Sequence, residues 1–140
     1  MIHIPAYIIA QIFSHVAMLK LALAKQFGLT DFQLLAVVLI GSSKRVSIKE
    51  LKQRLSLRGS SVTFAIDALE RKKLIKRQRS KEDKRQWFLS LTGKGEQLYG
   101  DILKAEGEMA SPALDKLSES EKTVFLKLAQ EIVQFSAQAQ

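Results

Sequence analysis

The sequence contains no cysteine, which excludes disulfides, thiol nucleophiles and zinc sites built on thiolates. Its two histidines, His3 and His15, are twelve residues apart, so they lack the spacing of three or four that places two ligands on one helix face. A phosphate-binding glycine loop and a nucleophile elbow are also missing. We therefore expect no cofactor, no metal site and no enzymatic activity.

The overall composition is that of a folded globular chain. With 140 residues, the chain is long enough for one compact domain but short for two independent domains. It is 46% hydrophobic and 26% charged, close to the average of globular proteins, which argues against wholesale disorder.

Positive charge is concentrated in about one third of the chain. Overall, 22 Lys and Arg stand against 14 Asp and Glu, a net charge of +8. Residues 44–94 hold 16 basic and 5 acidic residues, a net of +11, whereas the other 89 residues have a net charge of −3. This distribution is typical of a nucleic-acid-binding module set in a nearly neutral frame. A basic surface without any polyanionic partner is the alternative.

The uncharged N-terminal segment needs to be distinguished from a membrane span or a signal sequence. No charged residue occurs between Met1 and Lys20, but polar residues and a proline interrupt the run and no aromatic belt flanks it. A secretory signal would have Lys or Arg before its apolar core. We expect a cytoplasmic protein that does not bind a membrane, with peripheral membrane attachment through this segment as a weaker alternative.

The same segment predicts a helix that is apolar over most of its surface. One stripe has a spacing of three or four and a second stripe lies beside it. The first comprises Ile8, Ile12, Val16, Leu19, Leu23 and Phe27, and the second Ile9, Phe13 and Ala17. Such a helix must be covered on most sides, and in so small a chain the expected cover is a second subunit. We therefore predict a homodimer.

Two short helices joined by about four residues are predicted in the middle of the chain. Before them, Thr30 caps a helix that is expected to stop at Gly41-Ser42-Ser43. Ser47 and Glu50 form a capping box that opens the first short helix. The second follows residues 56–59, with Arg58 or Ser60 as its cap and Val62, Ile66 and Leu69 on its inner face. This is the size of a helix-turn-helix, although an ordinary helical hairpin has the same pattern.

A hairpin is predicted directly after these helices. Residues 74–79 and 86–91 read as strands on either side of the charged residues 80–85. Trp87, Leu89 and Leu91 alternate with less apolar residues, which is typical of a half-buried strand. Because the connection contains no Asn-Gly or Asp-Gly, we expect a long, mobile loop rather than a tight turn. A helix-turn-helix followed by such a hairpin is a winged helix.

Two motifs resemble those of the MarR family of transcriptional regulators. Asp83-x-Arg85, five further residues and then Leu91-Thr92-x-x-Gly95 are similar in spacing and residue type to the family's wing-to-helix signature. Upstream, Leu57-x-x-Ser60-Ser61-Val62-Thr63-x-x-Ile66-Asp67-x-Leu69-Glu70 resembles its recognition helix. The resemblance extends over nearly the whole chain, because the family also has a leading helix and two closing helices that make a dimer.

The resemblance implies a mainly α fold with a small β-hairpin wing (α+β). It implies one domain over residues 1–140, with dimerisation helices in 1–28 and 96–140 and a winged helix-turn-helix in 29–95. It further implies a dimeric, sequence-specific DNA-binding regulator, in the first instance a repressor, on a pseudo-palindromic operator. The alternative is an architectural or accessory winged-helix protein that binds double-stranded DNA without sequence choice.

The family also implies a small-molecule effector, often an aromatic acid or another lipophilic anion. The expected pocket lies between the dimer helices and the winged module, and its residues are not identified by the sequence. Tyr7, His15 and Phe27 could reach such a pocket, although we favour buried core positions for all three.

The chain departs from the family pattern at three positions. Lys73 stands where glycine usually ends the recognition helix, so this lysine must adopt a left-handed conformation or end the helix differently. Phe64 stands where a basic residue is frequent, and Lys84 replaces the usual first arginine after the wing aspartate. The base preference therefore cannot be copied from a relative.

The start of the recognition helix is the predicted base-reading element. Its free N–H groups and positive dipole end favour phosphates, and its short hydroxyl side chains permit a deep approach to the major groove. Phe64 packs either on thymine methyl groups or beneath the wing. The candidate DNA-binding residues are Lys49, Arg58, Gly59, Ser60, Ser61, Thr63, Phe64, Arg79, Lys81, Lys84 and Arg85.

The wing is expected to follow a minor groove through Lys81, Lys84 and Arg85. Lys49, Arg58 and Arg79 are the candidates for backbone contacts that set the register. Arg85 has an alternative role, an ion pair with Asp83 or Asp67 that shapes the wing, and we predict that both aspartates orient the wing.

Two closing helices complete the predicted frame. Thr92 caps the first, which Gly100 and Gly107 are expected to interrupt and which is expected to stop near Pro112. A capping box at residues 118–121 opens the second, with Phe125, Leu128, Ile132 and Phe135 on one face. We expect these helices to wrap the leading helix across a two-fold axis.

Overall fold

The structure, a computed structural model, describes residues 5–55 and 59–138. Within these ranges the chain forms α1 (Ala6–Gln26), α2 (Asp31–Ser43), β1 (Val46–Ser47), α3 (Ile48–Arg54), α4 (Gly59–Arg71), β2 (Ile75–Arg79), β3 (Trp87–Leu91), α5 (Gly93–Leu114) and α6 (Glu119–Gln138). The chain divides into two units, residues 1–103 and 104–140, and each is described by itself. The first unit contains the helix-turn-helix and the hairpin.

The sheet is antiparallel, with strand order β1-β3-β2. In the hairpin, Ile75 lies opposite Leu91 and Arg79 opposite Trp87, while Val46 of β1 lies opposite Leu89. The predicted hairpin is therefore present. The sequence analysis missed β1, because two residues are too few to show a strand period.

The core of the first unit lies between the sheet and the helices. The predicted inner face of α4 is confirmed, since Val62, Ile66 and Leu69 are at most 1% exposed. Leu89 and Leu91 are buried as predicted, but Trp87 is 42% exposed. Its predicted inward position is wrong because it lies at the outer end of β3, where its ring pairs with the guanidinium of Arg79 at 5.7 Å.

Side-chain caps begin several of the helices. Thr30 forms a full capping box with Gln33, with bonds of 3.1 and 3.3 Å. The Ser47 hydroxyl accepts the Glu50 N–H at 3.0 Å, but the Glu50 carboxylate pairs with Arg54 at 3.0 Å instead of completing the predicted box. The helix starting at Gly59 contains Ser60, which therefore is not its cap, and Arg58 lies outside the described residues.

The helices α2 and α5 end where they are predicted to end, but glycine does not interrupt α5. The helix α2 ends at Ser43, within the predicted stop at residues 41–43, and Gly41 packs so closely on α5 that an added Cβ would lie 2.6 Å from the Tyr99 ring. The predicted interruption of α5 is wrong, because the helix is continuous through Gly100 and Gly107, and it ends at Leu114, near Pro112 as predicted.

The caps of the closing helices are as predicted. Thr92 accepts the Gly95 N–H at 3.1 Å at the start of α5. At the start of α6, Ser118 and Glu121 exchange bonds of 2.8 and 3.3 Å, and the Ser118 backbone N–H lowers the pKa of Glu121.

The leading helix α1 carries many exposed apolar side chains. Leu23 and Ala24 are buried, but the exposed residues include Tyr7, Ile8, Ile12, Phe13, Val16, Met18, Leu19 and Leu21. In the single chain, Tyr7 and His15 are exposed, whereas Phe27 is half-buried, so the predicted core positions of Tyr7 and His15 stay predictions that depend on a second subunit. Among the described helices, α1 is the one long and apolar enough to cross a membrane by length and composition.

The turn after α4 docks on the start of α5. Lys73 adopts the left-handed conformation with φ 58°, and the Leu74 N–H donates to the Leu69 carbonyl at 3.0 Å, so the helix ends in a Schellman motif without glycine. The Thr92 N–H donates to the Leu74 carbonyl at 3.0 Å. The Leu-Thr-x-x-Gly motif thus corresponds to a contact between α5 and this turn.

Gly95 provides the close approach at this contact, and we expect Gly95→Ala to destabilise the fold. An added Cβ would lie 2.0 Å from the Leu74 carbonyl oxygen, which is backbone that cannot swing aside. We expect a loss of about 2–3 kcal/mol in the free energy of unfolding, measured by urea denaturation. Gly93→Ala is the matched control, since nothing lies within 4 Å of its added Cβ. Equal stability of the two variants would contradict the contact.

Candidate nucleic-acid interface

The N-terminal half of α4 presents a polar surface on an apolar base. Val62, Ala65 and Ile66 are buried, whereas Ser61, Thr63 and Phe64 are exposed. The helix begins at Gly59, and the side chain of Ser60 is not among those that the structure describes. Small hydroxyl side chains near a helix start leave room for close approach to a groove and can bond base edges or phosphates.

Phe64 points away from the protein core. It is 75% exposed, so the alternative that it packs beneath the wing is wrong. Its ring borders an open groove of about 540 Å³ between the start of α2 and the outer face of α4. The groove is lined by Thr30, Phe32, Gln33, Ser61, Phe64, Ala65, Ala68 and Arg71.

The tip of the wing is held by its own backbone. The buried Ser80 hydroxyl accepts the N–H groups of Glu82 and Asp83, each at 3.2 Å, and the Ser80 N–H donates to the Gln86 carbonyl at 2.9 Å. The Asp83 carboxylate accepts the Arg85 N–H at 2.9 Å. The loop comprises residues 80–86, one more than predicted, and these hydrogen bonds define its conformation, while its mobility stays a prediction.

The basic side chains at the tip face outward. Lys81, Lys84 and Arg85 are all exposed. Arg79 lies at the base of the tip, where its Nε donates to the Lys84 carbonyl at 2.5 Å. Lys49 is exposed in the first turn of α3.

Arg77 is the residue that the sequence analysis missed. It extends from β2 to α4, where its guanidinium pairs with the Asp67 carboxylate and its Nε lies 2.9 Å from Glu70 Oε2. Asp67 therefore pairs with Arg77 and not with Arg85, which contacts Asp83 through its backbone N–H. Strand alternation could have found this contact, because Arg77 shares a face with the buried Ile75.

A second groove lies where α1, α4 and α5 approach one another. It has a volume of about 360 Å³ and an apolar lining of Phe27, Leu29, Leu74 and Leu98 with Lys72, Lys94, Gln97 and Asp101. The Lys72 ammonium donates to the Gly28 carbonyl at 2.7 Å, and the Lys94 ammonium donates to the Lys72 carbonyl at 3.1 Å. In the described residues, no group of three or more His, Cys, Asp or Glu is placed to hold a metal ion.

A short helix-turn-helix followed by a two-stranded wing is the architecture of a winged helix-turn-helix protein. Residues 29–87 match the MarR family model. Over these residues, the chain is similar to the MarR family.

Relatives and solved structures agree with this family. MgrA of Staphylococcus aureus, an HTH-type transcriptional regulator, is 31% identical over 87 residues, which are 62% of this chain and 59% of MgrA. The chain thus spans about three fifths of the length of this curated relative. MgrA and the MarR family are transcriptional regulators and not enzymes, which agrees with the expectation of no enzymatic activity.

Two solved structures have the same fold. NadR in complex with 4-hydroxyphenylacetate has a TM-score of 0.79 at 22% identity, over 95% of this chain and 96% of NadR. A MarR mutant from E. coli in complex with operator DNA has a TM-score of 0.70 at 19% identity, over 90% and 91% of the two chains. The predicted fold, mainly α with a β-hairpin wing, is confirmed.

Proposed function

We propose that this protein is a dimeric, sequence-specific DNA-binding transcriptional regulator. The observation that carries the proposal is the exposure of Ser61, Thr63 and Phe64 on α4, together with a wing tip whose basic side chains all face outward. The complex of the related fold with operator DNA supports it. In this proposal, residues 29–95 bind DNA and residues 1–28 and 96–140 make the dimer.

The two parts of the interface have different tasks in this proposal. Ser61, Thr63 and Phe64 enter the major groove, and Lys81, Lys84 and Arg85 follow the adjacent minor groove. Lys49 and Arg79 contact phosphates and set the register. Arg58, Gly59 and Ser60 belong to the same interface by their place in the sequence.

The regulator acts as a cytoplasmic repressor in this proposal. A dimer presents two recognition helices, which bind half-sites about one helical turn apart. A roughly palindromic operator that overlaps a promoter is then blocked by occupancy alone.

Competition binding tests sequence specificity. The probe is a labelled duplex that carries a palindrome recovered by genomic footprinting with the purified protein. At physiological salt we expect it to bind at least ~10³-fold tighter than bulk DNA. Equal affinity for both would favour the architectural alternative, and no binding to either would overturn the proposal.

The same duplex tests the wing through Arg85→Ala. We expect weaker binding and a salt dependence whose slope is smaller by about one, because one phosphate contact is lost. Glu82→Ala is the control, since it removes an exposed acidic side chain from the same tip. Unchanged affinity and slope in Arg85→Ala would exclude this arginine from the interface.

Dimer formation is proposed to cover the exposed apolar side chains of α1. Phe13 is 68% exposed, and Ile12 and Val16 are exposed beside it. Apolar residues of α6 are exposed as well, among them Val124, Phe125, Leu126 and Leu128. Exposed apolar side chains in such number on one helix mark an interaction site.

Sedimentation equilibrium tests the dimer. We expect the parent to be dimeric and Phe13→Glu to be largely monomeric, because a charge would be buried at the interface. Gln26→Glu adds the same charge at an exposed polar position of α1 and should remain dimeric. A monomeric parent would contradict the proposal, and flotation with anionic liposomes then tests the membrane alternative.

We also propose that a lipophilic anion releases the protein from DNA. The groove beside Phe27 combines an apolar lining with the ammonium groups of Lys72 and Lys94, which suits an aromatic carboxylate. The NadR complex with 4-hydroxyphenylacetate supports this chemistry. We expect an aromatic carboxylate to displace the labelled duplex from the parent and less effectively from Lys94→Met. Equal displacement from both would exclude this groove.

A further inference from the structure

Arg77 joins the wing to the recognition helix through two acidic residues. Its Nη2 contacts Asp67 and its Nε lies 2.9 Å from Glu70 Oε2. The Arg77 side chain is 28% exposed, whereas the two carboxylates are 48% and 44% exposed. The guanidinium is thus enclosed between β2 and α4, with carboxylates as its partners, and is poorly placed to reach a phosphate.

The two carboxylates lie on the same side of α4 as a predicted DNA contact. Thr63, Asp67 and Glu70 are four and three residues apart, so they form one stripe along the helix. Asp67 is therefore only one turn from Thr63. Charges at this separation act within the screening distance of about 8 Å at physiological salt, so an unpaired carboxylate here would repel the DNA backbone.

The helix has little positive charge of its own to oppose this repulsion. In α4 the basic residue is Arg71, which is the last residue of the helix, at the end opposite Gly59. Neutralisation of Asp67 and Glu70 must therefore come from another element, and Arg77 of β2 is the cation in contact with both.

We propose that Arg77 is a positioning residue that supports DNA binding by neutralising Asp67 and Glu70, and that the same pairing, as a separate effect, attaches the wing to the recognition helix. The inference rests on the proposed function. Because Asp67 and Glu70 pair with Arg77, Arg85 at the wing tip remains available to contact DNA. An arginine suits this task because its planar guanidinium reaches two carboxylates at once.

The experiment compares four full-length proteins on the labelled duplex described above. They are the parent, Arg77→Met, the triple variant Arg77→Met/Asp67→Asn/Glu70→Gln, and Lys76→Met. The triple variant removes the whole charged group and leaves no unpaired carboxylate. Lys76→Met is the matched control, because it removes one positive charge from the neighbouring exposed position of the same strand.

We expect Arg77→Met to bind about tenfold more weakly than the parent near 0.1 M salt, because two carboxylates then face the duplex. The triple variant should return to within about threefold of the parent, as should Lys76→Met. Recovery in the triple variant separates neutralisation from a direct phosphate contact, which the triple variant could not restore. If the triple variant binds as weakly as Arg77→Met, or if Arg77→Met binds as well as Lys76→Met, the inference is overturned.

Should Arg77→Met fail to fold, the triple variant alone tests the neutralisation of Asp67 and Glu70, and its affinity for the duplex must match that of the parent.

Backbone amide exchange of residues 75–91 without DNA measures the wing attachment separately. We expect exchange about tenfold faster in Arg77→Met than in Lys76→Met, because local opening is no longer restrained. Equal exchange would overturn the attachment of the wing by Arg77. A parent that binds no duplex would overturn the proposed function instead, while the exchange result would still apply to Arg77.

Discussion

The carbonyl oxygen of Leu74 is the point at which the recognition helix, the hairpin and α5 meet. It accepts the Thr92 N–H at 3.0 Å and the Thr92 hydroxyl at 3.2 Å, and the same hydroxyl donates to the Lys73 carbonyl at 2.7 Å. Because Leu74 joins α4 to β2 and Thr92 joins β3 to α5, these bonds determine the direction in which α4 leaves the sheet. Any interface that uses both the helix and the wing depends on this direction.

The same junction explains why a lysine is tolerated where glycine is usual in the family. A left-handed lysine costs about 1–2 kcal/mol relative to a relaxed conformation. Around Lys73, however, three consecutive backbone carbonyls accept hydrogen bonds. The Lys94 ammonium donates to the Lys72 carbonyl at 3.1 Å, and the Thr92 hydroxyl donates to the carbonyls of Lys73 and Leu74. Satisfied backbone groups offset the strain, because an unpaired carbonyl in this partly buried turn would cost a comparable amount.

Sequence patterns were sufficient where the determinant is local. Helix periodicity identified the buried residues Val62, Ile66 and Leu69, and cap residues located the starts of α2, α5 and α6. The patterns failed where the determinant is a distant contact. The close packing of Gly41 on Tyr99, far along the chain, has no signal in the local pattern. Strand alternation places Arg77 on the face of β2 that carries Ile75, but the sequence analysis considered only Arg85 as a partner of Asp67.

The charges of the winged module are arranged so that few of its carboxylates oppose a polyanion. Residues 44–94 contain five acidic residues. Four of them contact basic side chains or backbone N–H groups of the module, namely Glu50 with Arg54, Asp67 and Glu70 with Arg77, and Asp83 with the Arg85 N–H. Meanwhile the backbone and the Ser80 hydroxyl hold the wing tip, so its basic side chains need not stabilise it. A loop held by such hydrogen bonds would lose less conformational entropy on binding a duplex than an unconstrained one, while its basic side chains remain exposed.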